Sequence, residues 1–273
     1  MKSIFMRFPG GKSKALTLSY DDGVRQDKRL IEIMQKYGLK GTFNINSECY
    51  DPEGCTTGGR MTRSEALALY RDSGMEVAVH GAHHPFLEQL PQNLCTWEIL
   101  NDRKNLEADF GGFIRGMAYP MGTTSDSVVA SLKQCGIAYA RTVVSTESFD
   151  IPTDWLRLPA TCHHDNPRLM ELAELFLRPW DVPMLFYLWG HSYEFDDNNN
   201  WSIIEKFAEY MGGREEIWYA TNIEIYDYIT AYNQLIFSMD YTRVYNPTCT
   251  TVYFKTAKGS YTVAPGETVH YEF

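Results

Sequence analysis

A parallel α/β barrel, distorted and built on about seven strands, is the fold class this sequence predicts. Three observations lead there. Strand and helix patterns alternate about seven times between Ala15 and Leu235, as they do when helices connect the strands of a parallel sheet. The run Met184-Leu185-Phe186-Tyr187-Leu188 is apolar without interruption, the mark of a strand covered on both faces. The length of 273 residues suits a single barrel, since such folds typically take about 250 residues.

The elements follow in order. Ala15 to Tyr20 is an apolar, period-two strand that ends at Asp21-Asp22-Gly23. Asp27 to Tyr37 carries helical periodicity through Leu30, Ile31 and Met34, and Gly38 stops it. Gly41 to Ile45 is a second strand, followed by a Gly-rich polar loop to Arg60. Thr62-Arg63-Ser64-Glu65 is a capping box that opens a helix ended by Gly74. Glu76 to Val79 is a third strand, running into His80-Gly81-Ala82-His83-His84-Pro85. A polar helix from Gln92 to Phe110 leads to a strand near Gly116 to Ala118 and a turn at Tyr119-Pro120-Met121-Gly122.

A helix from Asp126 to Gln134 then leads to a strand at Ile137 to Arg141. Trp155 to Leu158 reads as extended and Pro167 to Leu177 as helical. The Met184 to Leu188 strand ends at Trp189-Gly190-His191. Trp201 to Met211 is amphipathic, Ile217 to Ala220 is the last core strand, and a long helix starts at Asn222. From Asp240 the pattern changes to short β runs, Thr251 to Lys255 and Ser260 to Val263, with turns at Lys258-Gly259 and Pro265-Gly266. The expected organisation is a barrel over residues 1–239 and a small β appendage over 240–273, too short to be safe as an independent domain.

Composition narrows the partners. A formal net charge of -10 argues against nucleic acid and anionic membranes, and no stretch approaches a membrane span. The opening Met1 to Arg7 lacks the apolar core of a signal peptide. That favours the cytoplasm, with secretion open for a chain trimmed of its leader. The six cysteines are scattered without zinc-type spacing, and only Cys49 and Cys55 stand close enough for a local disulfide. Free thiols are the expectation.

Functional residues of parallel α/β barrels sit at the carboxyl ends of the strands. Three predicted ends carry unusual side chains: Asp21-Asp22, His80 with His84, and His191. Neighbours on a strand end point to opposite sides, so one of Asp21 and Asp22 can hold a metal while the other stays free to move a proton. One carboxylate and two imidazoles, with open positions, suit a hydrolytic zinc site or another divalent metal. Cys162-His163-His164-Asp165 offers a second group of metal-binding types, with a loop pair or substrate contact as the alternative.

Four of these segments together resemble the motifs of the NodB-type polysaccharide deacetylases, carbohydrate esterase family four. They are Ser19-Tyr20-Asp21-Asp22-Gly23, His80-Gly81-Ala82-His83-His84-Pro85, Tyr119-Pro120-Met121-Gly122 and Leu188-Trp189-Gly190-His191, in the family's order across residues 14 to 235. The resemblance implies a distorted barrel of about seven strands. It also implies one divalent metal, zinc foremost, with cobalt, nickel or another divalent ion as alternatives. It assigns Asp22, His80 and His84 as metal ligands, Asp21 as general base and His191 as general acid. An oxyanion would be held by the metal and a backbone N–H near Tyr119. Tyr119, Pro120 and Trp189 become substrate-binding residues, and His83 faces away.

The sequence departs from that pattern in three places. Gly81 replaces the usual Ser or Thr of the metal motif. Ala118 stands where the third motif carries an arginine that orients the base, leaving Arg115, Arg141 or Arg157 to reach in from elsewhere. The fourth motif has only Asp154-Trp155 as a loose match, while Glu194 and Asp196 follow His191 and could orient it. The leading expectation is a metal-dependent hydrolase that removes acetyl groups from a carbohydrate, N-acetyl before O-acetyl. The second is a C–N hydrolase of small amides, ureides or cyclic imides, so the partner is a carbohydrate or a small molecule. The third is an inactive carbohydrate-binding protein.

Overall fold

The computed structural model describes residues 3–272. Met1, Lys2 and Phe273, which the readings of the amino terminus and the β tail include, lie outside the described residues.

The chain runs β1 (Phe5–Arg7), β2 (Lys14–Asp21), α1 (Asp27–Lys36), β3 (Gly41–Ile45), α2 (Arg63–Tyr70), β4 (Glu76–Val79) and α3 (Gln92–Phe110). It continues through β5 (Gly116–Ala118), α4 (Asp126–Gln134), β6 (Tyr139–Ser145), β7 (Leu158–Ala160), β8 (Cys162–His163) and α5 (Leu169–Leu177). Then come β9 (Met184–Gly190), α6 (Glu194–Asp197), α7 (Ser202–Met211), β10 (Ile217–Tyr219) and α8 (Asn222–Asn233). Five short strands close the chain: β11 (Ile236–Phe237), β12 (Arg243–Tyr245), β13 (Val252–Lys255), β14 (Ser260–Val263) and β15 (Thr268–His270).

Nine strands form one parallel sheet in the order β7-β6-β5-β4-β3-β2-β9-β8, with β10 beside the first half of β2. The two ends of that order, β7 and β8, are separated in the chain by Thr161 alone. The Thr161 N–H donates to Tyr187 O of β9 at 2.8 Å. The sheet therefore curls round on itself, and a bent segment of chain spans the gap. Trp155–Arg157, expected as extended, forms a 3-10 turn instead, and the residues after it, 158–163, supply these two additional short strands, which is why nine are found rather than about seven.

Side chains on β2 alternate as a pleated strand requires. Leu16, Leu18 and Tyr20 join the large apolar core with Leu30, Ile31 and Met34 of α1. Thr17, Ser19 and Asp21 point the other way, into the curl of the sheet. That interior is polar and connected: Thr17 Oγ1 donates to Asn222 Oδ1 at 2.8 Å, and Asn222 Nδ2 to Tyr187 OH at 2.6 Å. Thr42 Oγ1 and Tyr139 OH donate to the two oxygens of Glu76 at 2.7 and 2.8 Å. Such a network holds only when its buried members find partners, and it fixes the register beneath the site.

The tail packs rather than dangles. β13 pairs antiparallel with β1 and with β14, while β11, β12 and β15 form another small antiparallel sheet. Val244, Val252, Phe254, Val263 and Tyr271 share a core with Ala231 of α8 and with Leu235 just past its end.

Candidate functional site

The register sets the strand ends level. Asp21 lies beside Asn44, Tyr20 beside Gly190, and Ala118 beside Arg141. Asp21, the last residue of β2, is 3% exposed. Arg141 Nη2 donates to both of its oxygens, at 2.6 Å to Oδ1, and Asn44 Nδ2 donates to Oδ1 at 2.9 Å. Burial would raise the Asp21 carboxyl, but the Arg141 guanidinium, with help from His80 and His191, holds it down at about 2. Arg141 is thus the arginine on Asp21. Arg115 instead pairs with Asp227, and Arg157 with Asp126.

Asp22 turns out of the strand with φ of 85°, a left-handed conformation that aspartate tolerates better than most residues. Its N–H donates to Asn44 O at 2.9 Å. Arg60, returned to this point by a bridge between residues 24 and 60, donates to Asp22 Oδ1 at 2.9 Å and to Asn46 Oδ1 at 2.7 Å.

His80 follows β4 immediately. Its Nδ1 meets Ala118 O at 2.9 Å, and its N–H donates to Asp102 Oδ2 at 2.9 Å. Asn46 Nδ2 donates to the His80 and Gly81 carbonyls at 2.6 and 2.7 Å. The chain then turns at Gly81, with φ of 72°, where an added Cβ would meet Pro120 and Pro85 at 3.4 Å. That conformation favours glycine and accounts for the departure from Ser or Thr. The turn brings the His84 ring to 4.8 Å from that of His80. His83 points elsewhere, its Nδ1 on Glu98 Oε1 at 2.9 Å and its ring stacked on Trp97.

Asp22, His80 and His84 offer ligand atoms that all lie within 4.8 Å of one another. Asp22 Oδ1 is 3.9 Å from His80 Nε2 and 3.7 Å from His84 Nε2. His80 Nε2 is buried without a hydrogen-bond partner among the described residues, because Nδ1 donates to the Ala118 carbonyl and leaves a lone pair facing the carboxylates. Two acceptors face each other across that gap, so a cation fits between them. Burial lowers both imidazoles, His84 to about 4 with His80 as the second cause, and neutral imidazole is the form that binds metal.

His191 follows β9. Its Nε2 stands 3.9 Å from Asp21 Oδ2, and its Nδ1 3.3 Å from Glu194 Oε1. Burial works against an imidazolium here, but Glu194 and the charge on Asp21 outweigh it and raise the His191 pKa. The turn into α6 folds Glu194 back under the ring, and Ser192 Oγ anchors it to Asp27 Oδ1 at 2.5 Å. Asp154, the loose fourth-motif match, pairs with Arg157 and caps Leu156 instead. Glu194, three residues past His191, takes the place expected of it.

The three residues expected at the substrate are less open than their motif suggests. Tyr119 is 1% exposed, its OH donates to Leu156 O at 2.6 Å, and its N–H is committed to Arg141 O at 3.0 Å. Its ring therefore packs beneath the site, and neither its N–H nor Pro120, which has none, is a free oxyanion donor. Trp189 lies between Arg141 and the His163 and His191 rings, at 4.5, 4.5 and 5.9 Å. Met121, just past Pro120, and Val143 and Val144, near the end of β6, are exposed apolar side chains. Sequence reading passed over them, and over Arg60, Asn46 and Asp102. Asn44 and Asn46, polar residues alternating with the apolar Phe43 and Ile45, were the available hint.

The sequence profile described as Polysaccharide deacetylase matches residues 9–140. No curated protein matches the chain. The fold is similar to that of a protein assigned as a polysaccharide deacetylase from Mycobacterium smegmatis, at 17% identity and a TM-score of 0.62, covering 85% of this chain and 96% of that one. It is also similar to a family 4 carbohydrate esterase from Streptomyces lividans, determined with acetate, at 17% identity and a TM-score of 0.51, covering 76% and 91%. A deacetylase from Streptococcus pyogenes, also with acetate, aligns over 46% of this chain and 55% of its own, at 21% identity and a TM-score of 0.43.

Proposed function

We propose that the chain, whose residues 9–140 match the polysaccharide deacetylase profile, hydrolyses acetyl groups on a carbohydrate, N-acetyl in preference to O-acetyl, with one divalent metal. Asp22, His80 and His84 would hold the ion, zinc foremost. When bound, such an ion acidifies water and polarises a carbonyl oxygen.

The observation that carries the reading is a pair of neighbouring groups driven in opposite directions. Arg141 pushes the Asp21 carboxyl down to about 2 against the effect of burial, while Glu194 and the charge on Asp21 push the His191 pKa up against it. Titratable neighbours pushed apart in this way suit a base and an acid. Asp21 takes a proton from the attacking water as its oxygen joins the acetyl carbon. His191 Nε2 gives a proton to the leaving nitrogen as the C–N bond breaks. A binding module would need neither group in its shifted state.

The test incubates metal-loaded protein separately with chito-oligosaccharides, acetylated xylan fragments, allantoin and a cyclic imide. The expected outcome is acetate with free amine from the first, lost in His80→Ala together with the metal of that site. Turnover of only the cyclic compounds would overturn the substrate reading in favour of a small-molecule C–N hydrolase.

A further inference from the structure

Three imidazoles surround one carboxylate on the far side of His191, and the proposed reaction uses only one of them. His163 Nε2 and His164 Nε2 each lie 3.2 Å from Glu194 Oε2, and His191 Nδ1 lies 3.3 Å from Oε1. His163 Nδ1 meets Asp165 Oδ1 at 2.6 Å. With Nδ1 donating to Asp165, the Nε2 of a neutral ring would turn its lone pair toward a second carboxylate oxygen. Two acceptors at that separation require a proton or another cation between them.

We infer that His163 Nε2, His191 Nδ1 and a Glu194 oxygen form a second divalent-metal site, whose occupation inhibits the enzyme. The three ligand atoms lie within 4.8 Å of one another. Donors in a tetrahedral zinc site, about 2.0–2.2 Å from the ion, stand about 3.3–3.5 Å from each other. His163 Nε2 lies 3.2 Å from Glu194 Oε2 and His191 Nδ1 3.3 Å from Oε1, so each imidazole already stands at about that distance from one carboxylate oxygen. The Asp165 carboxylate on the other nitrogen of His163 is the arrangement that orients a metal-binding imidazole and raises its basicity. His164, stacked on Phe195 with ring centroids 4.1 Å apart, keeps a donor on Glu194 and fixes the carboxylate for its partners.

The inhibitory part rests on the acid role proposed for His191. An ion on Nδ1 displaces the proton shared with Glu194. The ring then keeps its Nε2–H but can no longer exist as the imidazolium, so it becomes a far weaker proton donor. Occupation of the first site supports turnover, and occupation of the second stops it.

Metal-free protein is titrated with zinc by calorimetry and with cobalt by visible absorption. Two equivalents are expected, the weaker one lost in His163→Ala and weakened about 10–100-fold in Asp165→Asn, the range for removing a carboxylate behind a metal-binding histidine. The His80→Ala, His84→Ala variant should retain only the weaker equivalent, so the stoichiometry is decided whether or not any substrate turns over. With substrate, excess zinc should slow wild type relative to one equivalent and leave the ratio in His163→Ala near one. Saturation at a single equivalent, or two equivalents undiminished in both His163→Ala and Asp165→Asn, overturns the second site. Two equivalents without inhibition overturn its regulatory effect.

Discussion

Replacing Arg141 by methionine tests the electrostatics of the site most directly. Arg141 and Asp21 are both almost fully buried. Asp21 is held at about 2 against an ordinary 3.8, close to two units, or about 2–3 kcal/mol at roughly 1.4 kcal/mol per unit. The sign is that of a depressed carboxylate: the stabilisation is present above pH 3.8 and is lost as pH falls through about 2. In the variant, burial acts on Asp21 against only the weaker pull of His80 and His191, and its pKa moves up. The cost at neutral pH should then reach about 3–5 kcal/mol, the usual penalty for a buried charge left without its partner.

Urea unfolding of the metal-free protein measures this at pH 7 and again near pH 4.5. The deficit should shrink at the lower pH, where Asp21 takes up a proton. Adding Asp21→Asn to Arg141→Met removes the orphaned charge and keeps an oxygen for Asn44 Nδ2, so the double variant should be the more stable of the two. Arg141→Lys, which keeps the charge without the forked geometry, should fall between wild type and Arg141→Met. A loss under about 1 kcal/mol, or a double variant no better than the single one, would refute a buried ion pair as what holds Asp21 ionised.

Two further outcomes follow from the same geometry. Glu194→Gln keeps an acceptor for His191 but removes its charge, so the His191 pKa falls. Since the role proposed for His191 needs its protonated form, the alkaline limb of the kcat/KM profile should move to lower pH, and an unmoved limb would exclude Glu194 as its cause. Gly81→Ala, and equally Gly81→Ser with the hydroxyl usual in the motif, should cost about 1–2 kcal/mol of stability because the left-handed backbone disfavours a Cβ; a more stable serine variant in thermal unfolding would contradict this.

The order of strands and helices was legible because parallel barrels leave a simple trace, apolar runs of four to eight residues separated by periodic helices. That Asp22, His80 and His84 come together was legible for a similar reason. Asp22, His80 and His84 each sit within a few residues of a strand's end, so local sequence places them. The curl of the sheet left no such trace. β7 and β8 are three and two residues long, too short for a period to show, and they are defined by their neighbours rather than by their own pattern. Arg60 reaches Asp22 from 38 positions away, through a loop with no periodicity of its own.

Arg141 shows most clearly where sequence stops and geometry begins. The motif resemblance puts an arginine at the position of Ala118, and by that measure the support for Asp21 is missing. Yet Ala118 and Arg141 are direct partners in the parallel ladder between β5 and β6. Partners across a ladder sit about 4.8 Å apart with their side chains on the same face of the sheet. An arginine moved one strand outward can therefore reach the same carboxylate if nothing bulky stands between. Alanine at 118 supplies that room, and Trp189, 4.5 Å from the guanidinium, braces its outer side. The substitution at 118 and the arginine at 141 thus make one arrangement, split across two strands. Twenty-three positions separate them in the chain, and only the register joins them.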